Sequence, residues 1–320
     1  SGGSPRMTVI DRGRVGAWSV ADNGAIAYTF TAPSGPAELY MRHDGSSEPL
    51  TSLNAELLAE RVTAEVEAFT FSSFDGRPIE AFLTKPVDLD SANRHSLVVM
   101  IHGGPHGQQG AAFNLTAQVY AGLGWATLMV NYRGSTGYGQ ELTDAIFMDQ
   151  NGGEAKDVMA GVDAALDRYR WLDGGRLVIE GGSYGGQLTN WIITQTERFR
   201  AAIPRASISN LISFNYMAYY HDYLAVEFGA YPHENGIIDL LWERSPIRYA
   251  HSVTTPTMLV HGENDNDVPI AEAEQFYIAL KDVGVEVVMV RYPREGHGIR
   301  EAAHQVDLLE RSIAWYERHF

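Results

Sequence analysis

The segment Gly181-Gly-Ser-Tyr-Gly185 carries the clearest sign of chemistry in this chain of 320 residues. In the pattern Gly-x-Ser-x-Gly, a serine stands on a strained turn between a strand and a helix, and small neighbours let the two elements pass closely. Leu177–Glu180 is predicted to be the strand, and Gln187–Thr196 the helix. A nucleotide-binding glycine loop would end in Gly-Lys-Ser/Thr, which is missing, so the pattern favours Ser183 as a nucleophile.

A serine hydroxyl is a poor nucleophile without a base, so an acid and a histidine are expected further along the chain. The predicted strand Thr257–Val260 leads into a loop with three candidate acids, Glu263, Asp265 and Asp267. Spacing alone does not choose among them. The next predicted strand is followed by a histidine between glycines, His297. The order serine, acid, histidine is that of an α/β-hydrolase and differs from the orders of chymotrypsin-like and subtilisin-like enzymes.

Acyl transfer also requires two backbone N–H donors that stabilise the oxyanion. The residue after the nucleophile, Tyr184, supplies one, and the loop after the apolar strand Leu97–Ile101 supplies the other, which we assign to Gly104. His102 and His106 in this loop have the chemistry of metal ligands. No third ligand is evident, so we interpret them as loop residues and expect no metal and no cofactor.

The elements that must position these residues alternate between strands and helices. The remaining predicted strands are Ala68–Ser72, Ile79–Thr84, Ala126–Asn131, Ala201–Pro204 and Val285–Arg291. The remaining predicted helices are Phe113–Gly122, Glu154–Tyr169, Ile270–Val283 and Ala303–His319. Continuous apolar runs such as Leu97–Ile101 are typical of buried parallel strands. The pattern predicts an α/β fold with a doubly wound, mostly parallel sheet.

The N-terminal part of the chain has a different character. Residues 1–6 are typical of an added cloning linker. Residues 7–60 are predicted to form a short antiparallel β-meander with a linker, and residues 61–320 the catalytic domain. The meander has three predicted strands, Val15–Val20, Ala25–Thr31 and Glu38–Arg42, with tight-turn residues between them. Such a sheet cannot bury a core by itself.

The meander also carries apolar side chains that need a surface to pack on. They are Trp18, Ile26, Tyr28, Phe30, Leu39 and Tyr40. Its unpaired strand edges have free N–H and C=O groups that invite another strand. We therefore expect a homo-oligomer formed partly through this segment, although packing on its own domain and mobility are the alternatives.

Composition excludes several classes of function. Lys and Arg total 24 against 40 Asp and Glu, a formal charge of −16, which disfavours nucleic acids and anionic membranes as partners. No apolar run is long enough to span a membrane, and Val9–Asp22 lacks the apolar stretch of a signal peptide. The absence of Cys excludes disulfides and thiolate catalysis. We expect a cytoplasmic protein that acts on a peptide or ester substrate.

From about Glu65 to its C-terminus, the chain resembles the hydrolase domain of the prolyl oligopeptidase family, on its acylaminoacyl-peptidase/dipeptidyl-aminopeptidase branch. The motifs that carry the resemblance are His102-Gly-Gly-Pro105, Asn131–Gly139, Gly182–Gly186, Arg198–Ala202, His261-Gly262, Asp265-x-x-Val-Pro269 and Glu295–Gly298. Asn131–Gly139 is the most branch-specific of them. The resemblance implies a serine peptidase that cleaves acylaminoacyl or aminopeptidase-type bonds, and it selects Asp265 as the acid of the triad.

Two departures from the family pattern bear on this expectation. Family members commonly carry a peptide-holding Arg at the position of Asp267. An acid there favours cationic or free-amino substrates, unless Asp267 pairs with a nearby arginine such as Arg133 or Arg205.

Family members also carry an N-terminal β-propeller, of which the meander resembles only the end of a last blade. The chain is thus either an excised catalytic fragment or a relative without a propeller.

An aromatic stretch, Phe214–Tyr223, lies where pocket elements often insert in this fold. Its residues Phe214, Tyr219 and Tyr220 are candidates for the walls of a substrate pocket. The alternative is an aromatic-rich helix that serves only in packing.

For the whole protein, the rival functions are a carboxylesterase acting on small esters and a non-catalytic binding module.

Overall fold

The computed structural model describes residues 12–234 and 236–320, and the predicted linker, residues 1–6, lies outside them. The meander is an antiparallel sheet of four strands in sequential order. They are β1 (Arg14–Val20), β2 (Ile26–Thr31), β3 (Glu38–His43) and β4 (Ser46–Pro49). The sequence predicts only three, because β4 has no apolar alternation. Asp44 and Gly45 form the two-residue turn before it, both with positive φ, as a tight hairpin requires.

One face of the meander is buried within the chain itself. Tyr28 and Phe30 are buried, and Tyr40 stacks on Tyr28 with ring centroids 5.7 Å apart. Trp18 on β1 remains exposed, with 69% of its surface accessible. A backbone hydrogen bond from Phe113 N–H to Ala32 O, 2.8 Å long, ties the meander to the larger domain. Tyr28 and Phe30 are therefore wrong choices for a surface that pairs with another chain.

The larger domain is built on a second sheet of eight strands. They are β5 (Val66–Ser72), β6 (Pro78–Thr84), β7 (His95–Ile101), β8 (Ala126–Asn131), β9 (Leu172–Gly182), β10 (Phe199–Arg205), β11 (Thr257–Gly262) and β12 (Val287–Tyr292). Their spatial order is β12-β11-β10-β9-β7-β8-β6-β5. All neighbours are parallel except β6, which is antiparallel to both β5 and β8. The predicted mostly parallel sheet is confirmed.

Ten α-helices are found in the described part of the chain. They are α1 (Ala55–Ala59), α2 (Leu115–Gly122), α3 (Gln140–Thr143), α4 (Gly153–Arg168), α5 (Tyr184–Gln195), α6 (Leu211–Met217), α7 (Tyr223–Phe228), α8 (Ile237–Glu243), α9 (Ala271–Asp282) and α10 (Ala302–His319). Along β7, Leu97 and Val99 pack on the face covered by α4, α5 and α9, whereas Val98 packs on the face of α2 and α10. This alternation buries both faces and confirms the doubly wound architecture.

The aromatic stretch departs from the expected single helix. Helix α6 ends at Met217, Ala218 is extended at φ −76° and ψ 150°, and α7 begins only at Tyr223. Between the two helices, Tyr219 N–H donates to Asn266 O at 2.7 Å. A contact with the loop after β11 thus replaces the helical hydrogen bond, so tertiary structure overrides the helical pattern here.

No helix in residues 12–234 and 236–320 combines the length and apolar character needed to cross a bilayer.

A buried ion pair joins the loop after β8 to helix α4. The Arg133 guanidinium donates to both carboxylate oxygens of Asp157 at 2.8 Å, and the Arg133 backbone N–H donates to the same group. The Asp157 side chain is fully buried. Arg133 Nη2 also pairs with the partly exposed Asp75 at 3.1 Å, so removal of Asp157 leaves the guanidinium with that partner alone. The buried Arg133 Nε and backbone N–H lose their acceptor, which is strongly destabilising.

We therefore expect Asp157→Ala to lower the free energy of unfolding by about 3–5 kcal/mol. The control is Asp163→Ala on the same helix, whose exposed carboxylate pairs with Arg198; it should cost less than about 1 kcal/mol. Urea denaturation of both variants measures the difference. Equal losses in the two variants would show that the buried pair has no special structural role.

Candidate active site

Ser183 stands between β9 and α5 in a strained backbone conformation. Its φ of 59° and ψ of −125° lie where residues other than glycine are rarely found. Its backbone N–H donates to Arg205 O on the neighbouring strand β10 at 2.9 Å. The helix begins at Tyr184, three residues earlier than predicted, so Ser183 directly precedes the helix N-terminus.

The glycines on either side of Ser183 are required by the close crossing of strand and helix. A Cβ at Gly185 would overlap with the carbonyl oxygen of Ile101, at the end of β7. A Cβ at Gly181 would overlap with the backbone of Gly185. Any larger residue at either position would force the strand and helix apart, and the serine turn depends on their contact.

The loop after β11 presents its acid to His297. The His297 ring donates through Nδ1 to Asp265 Oδ2 at 2.9 Å. The other oxygen, Asp265 Oδ1, accepts backbone N–H bonds from Asp267 at 3.0 Å and Val268 at 2.9 Å. Glu263, in contrast, pairs with Arg291 on β12. Of the three candidate acids, the structure thus brings Asp265 to the histidine, in agreement with the resemblance.

His261, which the sequence analysis noted only as part of a motif, supports the same acid. Its ring is buried at the end of β11, with Nε2 2.8 Å from Val268 O and 3.3 Å from Asp265 Oδ2. Because a carbonyl oxygen only accepts, we assign the proton to Nε2. A buried histidine four residues before the acid, at a strand end, was the available signal for this role.

The electrostatics of the pair suit a base and its orienting acid. Burial by itself would raise the pKa of Asp265, but hydrogen bonds from His261, His297 and the Val268 N–H prevail and lower it to about 2. The bond to Asp265 raises the pKa of His297 above its usual value, against the effect of burial, and the Asp267 charge adds to the rise. Asp265 is therefore ionised at neutral pH.

Ser183 and His297 line the walls of the same two cavities. The Asp267 cavity has a volume of about 240 Å³, and its walls include Gly104, Tyr184 and Asp267. The Arg205 cavity has a volume of about 550 Å³, and Arg205 is in its wall. A further cavity of about 800 Å³ beside α4 and α5 contains neither Ser183 nor His297, so its size does not mark it as the reaction site.

No hydrogen bond links Ser183 Oγ to His297 within residues 12–234 and 236–320. Catalytic hydrogen bonds are often long in ligand-free enzymes and shorten once substrate is bound. The structure therefore shows the His297–Asp265 hydrogen bond of the predicted triad. Ser183 and His297 border the same two cavities, and the hydrogen bond between them stays a prediction.

Both predicted oxyanion residues, Gly104 and Tyr184, line the Asp267 cavity. Tyr184 is the first residue of α5, so its N–H has no acceptor inside the helix. Gly104 adopts a φ of 131°, which favours glycine, and its N–H finds no acceptor in the described part of the chain. Both predicted oxyanion residues thus lie beside Ser183.

The two histidines of the Gly104 loop have protein partners that hold the loop. His102 stacks on Tyr132 with centroids 4.2 Å apart, and its Nε2 is 2.9 Å from Ser135 Oγ. Burial lowers the pKa of His102 to about 4, so its ring is neutral. His106 Nε2 lies 3.1 Å from Glu227 Oε1. These contacts favour the interpretation of both residues as loop anchors.

One cluster in the described residues has the side-chain types of a metal site, namely Glu295, Glu301 and His304. Its oxygens are already used by protein donors. Glu295 accepts His304 Nδ1 at 2.8 Å and two backbone N–H groups, and Glu301 pairs with both Arg294 donors. The cluster fixes the start of α10 through these bonds.

Asp267 does not form the ion pair considered for it. Arg133 is engaged with Asp157, and Arg205 donates to Glu180 at 3.1 Å, so neither arginine pairs with Asp267. In the described chain its carboxylate has no ion-pair partner. The alternative of a structural pair with Arg133 or Arg205 is therefore wrong, and Asp267 borders the cavity as a negative charge without an ion-pair partner in the described residues.

The aromatic candidates divide into wall and surface residues. Phe214 and Tyr220 line the Asp267 cavity, as expected. Tyr219 does not line either cavity beside Ser183; it is 73% exposed and contacts Tyr220 with ring centroids 5.3 Å apart. Tyr223, not singled out from the sequence, takes part in the wall instead. The break between α6 and α7 turns Tyr219 outward and brings Tyr223 inward.

Glu154 is a buried acid behind the nucleophile turn, and it was not singled out from the sequence either. Tyr184 OH donates to Glu154 Oε1 at 2.7 Å, and Glu154 accepts the backbone N–H of Gly152 at 3.1 Å. Burial raises the pKa of Glu154 to about 7. The side chain of Tyr184 is thereby anchored to α4, while its backbone N–H stays available to the cavity.

This order of strands and site residues, with helices on both faces of the sheet, defines the α/β-hydrolase class. Within that class, the sequence profile of the Prolyl oligopeptidase family matches residues 111–320. The chain belongs to this family.

Individual relatives agree with the assignment. The chain is 37% identical to the uncharacterized peptidase YuxL of Bacillus subtilis over 90% of its own length and 44% of that protein. It is 29% identical to the acylamino-acid-releasing enzyme of Rattus norvegicus, over 96% of the chain and 44% of the enzyme. The structure of Pyrococcus horikoshii acylaminoacyl peptidase superposes with a TM-score of 0.91 at 28% identity, covering 97% of this chain and 50% of that one. The chain thus spans about half the length of these relatives.

The raised pKa of His297 leads to a prediction on pH. The neutral imidazole is the base, so kcat/KM should rise with pH along one limb whose midpoint lies above about 6.5. Asp267→Asn removes a negative charge that stabilises the imidazolium, so the pKa of His297 falls and the limb moves to lower pH. Rates on a neutral ester between pH 5 and 9 measure the shift.

The exposed Asp282 at the end of α9 provides the control, and Asp282→Asn should leave the midpoint in place. A flat profile between pH 5 and 8 would contradict the role of His297. A shift to higher pH in Asp267→Asn would contradict the electrostatic account of Asp267.

Proposed function

We propose that this protein is a serine hydrolase that cleaves peptide bonds, acylaminoacyl or aminopeptidase-type, through an acyl-enzyme. The observation that carries the proposal is the hydrogen bond of His297 to Asp265, because His297 lines the same two cavities as Ser183 on its strained turn. The names of the rat and Pyrococcus relatives refer to acylated amino acids and support a peptide substrate. No step in this chemistry needs a cofactor or a metal.

In the proposed mechanism, Ser183 Oγ attacks the substrate carbonyl while His297 Nε2 takes its proton. Asp265 accepts the Nδ1–H bond of His297, which fixes the tautomer and stabilises the imidazolium. The N–H groups of Gly104 and Tyr184 hold the oxyanion of the tetrahedral intermediate. His297 then protonates the leaving group as its bond to the carbonyl carbon breaks, and water releases the acyl group by the same steps.

We further propose that the Asp267 cavity receives the acyl part of the substrate. Phe214 and Tyr220 supply apolar wall, and the uncompensated Asp267 carboxylate suits a positively charged group. Among peptide substrates, this favours those with a free amino group, as an aminopeptidase requires. Asp267 and the aromatic walls are thus assigned to substrate binding, and Tyr219 is left out of that assignment.

A carboxylesterase is the second candidate, because the same groups hydrolyse esters by the same steps. Matched ester and amide substrates with one acyl group decide between the two. A non-catalytic binding module is disfavoured, because the hydrogen bonds that lower the pKa of Asp265 to about 2 keep it charged against His297. The cytoplasmic location stays a prediction, which cell fractionation would check.

Replacement of the nucleophile tests the proposal directly. Ser183→Ala should lower kcat by about 10³-fold or more, because only binding and the oxyanion donors remain. It should also lose labelling by a fluorophosphonate probe. The control is Ser96→Ala on β7, a buried serine whose Oγ has no partner in the described chain. Turnover of Ser183→Ala near that of the wild type would refute the assignment.

We also propose that the meander mediates a homo-oligomer through its edge strand β1. Every residue of β1 is exposed, and Trp18 is the largest apolar side chain on it. One edge of β1 pairs with β2, and the other has no strand partner in the described chain. An exposed strand edge is a template for pairing with a second copy.

Sedimentation of the chain should therefore show a dimer or larger assembly, and Trp18→Lys should shift it towards monomer. Leu53→Lys is the matched control, since Leu53 is 80% exposed and lies outside the four strands. A wild-type monomer at micromolar concentration would contradict the proposal. Equal dissociation by both variants would locate the interface outside β1.

A further inference from the structure

The Arg205 cavity is a second space that borders Ser183, separate from the Asp267 cavity, and it has no assigned role. It lies between helices α2 and α10 and opens onto both Ser183 and His297. Its walls are mainly apolar or aromatic. The side chains concerned are Leu115, Tyr120, Ile299, Leu308 and Leu309. With a volume of about 550 Å³, it can accommodate an amino-acid residue.

The oxyanion donors show which part of a substrate each cavity can hold. Gly104 and Tyr184 both line the Asp267 cavity, which places the acyl carbonyl oxygen on that side. His297 borders both cavities, but the Arg205 cavity contains neither oxyanion residue, so it remains available for the other part of the substrate. In acyl transfer the leaving atom departs from the side of the histidine that protonates it. The leaving group therefore faces the Arg205 cavity.

Arg205 is the strongly polar side chain in the walls of this cavity that keeps unused hydrogen-bond donors. One guanidinium nitrogen, Nη2, donates to Glu180 Oε1 at 3.1 Å. Glu180 is buried and also accepts the hydroxyls of Tyr120 at 2.9 Å and Tyr316 at 3.0 Å. These bonds fix the position of the arginine, whose side chain is still 30% exposed. Its other N–H groups have no acceptor within the described residues, so they are free to bind a ligand.

The charge balance indicates what Arg205 binds. Glu180 neutralises the guanidinium, so the cavity offers hydrogen-bond donors rather than a net positive charge. A neutral carbonyl oxygen matches such a site better than a free carboxylate does. An apolar side chain on the same leaving group would contact the leucines of α10.

We propose that the Arg205 cavity is the leaving-group subsite of this enzyme. It binds an apolar amino-acid residue whose own carbonyl oxygen accepts a hydrogen bond from Arg205. The inference rests on the proposed acyl-enzyme chemistry. It assigns the preferred substrates as peptides that continue beyond the cleaved bond with an apolar residue in amide linkage.

Capture of the acyl-enzyme by added amines tests this subsite. In the capture step, the amine nitrogen bonds to the acyl carbon, His297 takes the proton from that nitrogen, and Ser183 Oγ leaves and is reprotonated. The amine must therefore occupy the place of the leaving group. The probes are leucinamide, leucine, which ends in a carboxylate, and isopentylamine, which has the same side chain without a carbonyl. They are compared at equal concentrations of unprotonated amine during hydrolysis of an ester.

The measured quantity is the ratio of amide product to hydrolysis product. This ratio belongs to the acyl-enzyme itself, so differences in folding or total rate between variants cancel. We expect leucinamide to be captured about 10-fold better than isopentylamine, as one hydrogen bond to a charged donor allows. Leucine should be captured less well than leucinamide. Arg205→Gln should remove most of the advantage of leucinamide over isopentylamine.

Two further variants complete the design. Thr116 lines the cavity and takes no part in the Arg205–Glu180 pair. Thr116→Phe on α2 adds bulk to the cavity and should lower capture of both leucinamide and isopentylamine. Arg200→Gln is the matched control, because Arg200 lies on the same strand, is exposed and donates to Gly175 O instead. It should capture amines as the wild type does.

The possible outcomes separate the two proposals. Equal capture of leucinamide and isopentylamine by the wild type, or an unchanged preference in Arg205→Gln, would overturn the subsite assignment while leaving the hydrolase intact. Better capture of leucine than of leucinamide would overturn the choice of a neutral carbonyl. A wild-type protein that forms no acyl-enzyme and takes no fluorophosphonate label would overturn both proposals.

Discussion

The backbone strain at Ser183 is the constraint on which the rest of the site depends. A residue held at φ 59° costs about 1–3 kcal/mol, and it persists only where its surroundings determine it fully. Here the surroundings are the Arg205 carbonyl on β10, which accepts the Ser183 N–H, and the close crossing of β9 with α5. A rigid parallel sheet supplies both. The turn lifts Oγ out of the strand end and leaves the first N–H of the helix free beside it.

Asp265, the acid of the predicted triad, is also held in place by backbone contacts. Asp265 is buried, which by itself raises its pKa, yet two backbone N–H groups and two histidine rings satisfy its oxygens and keep it charged. Its charge in turn makes His297 a stronger base. The strand ends of β11 and β12 bring these loops together, because parallel neighbours end at the same edge of the sheet.

The two cavities beside the nucleophile differ in their electrostatics. On the acyl side, Asp267 has no cation to balance it, whereas on the other side Glu180 balances Arg205. A substrate would therefore meet a net negative charge at one end and neutral hydrogen-bond donors at the other. Such a polarity would orient a peptide with its amino end towards Asp267 and its continuing chain towards Arg205, in line with the two proposed subsites.

Much of this arrangement could be predicted from the sequence, where the signal is local. The glycine-serine turn, the apolar strands and the order of serine, acid and histidine each occupy short stretches, and their backbone consequences follow from sterics and side-chain alternation. Those features were enough to predict the doubly wound sheet. The contact of His297 with Asp265 also followed, although the choice over Asp267 needed the family resemblance.

Other features were decided only by the tertiary structure. The break at Ala218, the outward turn of Tyr219 and the inward turn of Tyr223 depend on a hydrogen bond to a loop distant in sequence. From the sequence, Arg133 and Arg205 were possible partners of Asp267, but the folded chain pairs them with the buried acids Asp157 and Glu180 instead. Charge partners in a core are chosen by which groups three-dimensional packing removes from water together, and a linear sequence contains no record of that proximity.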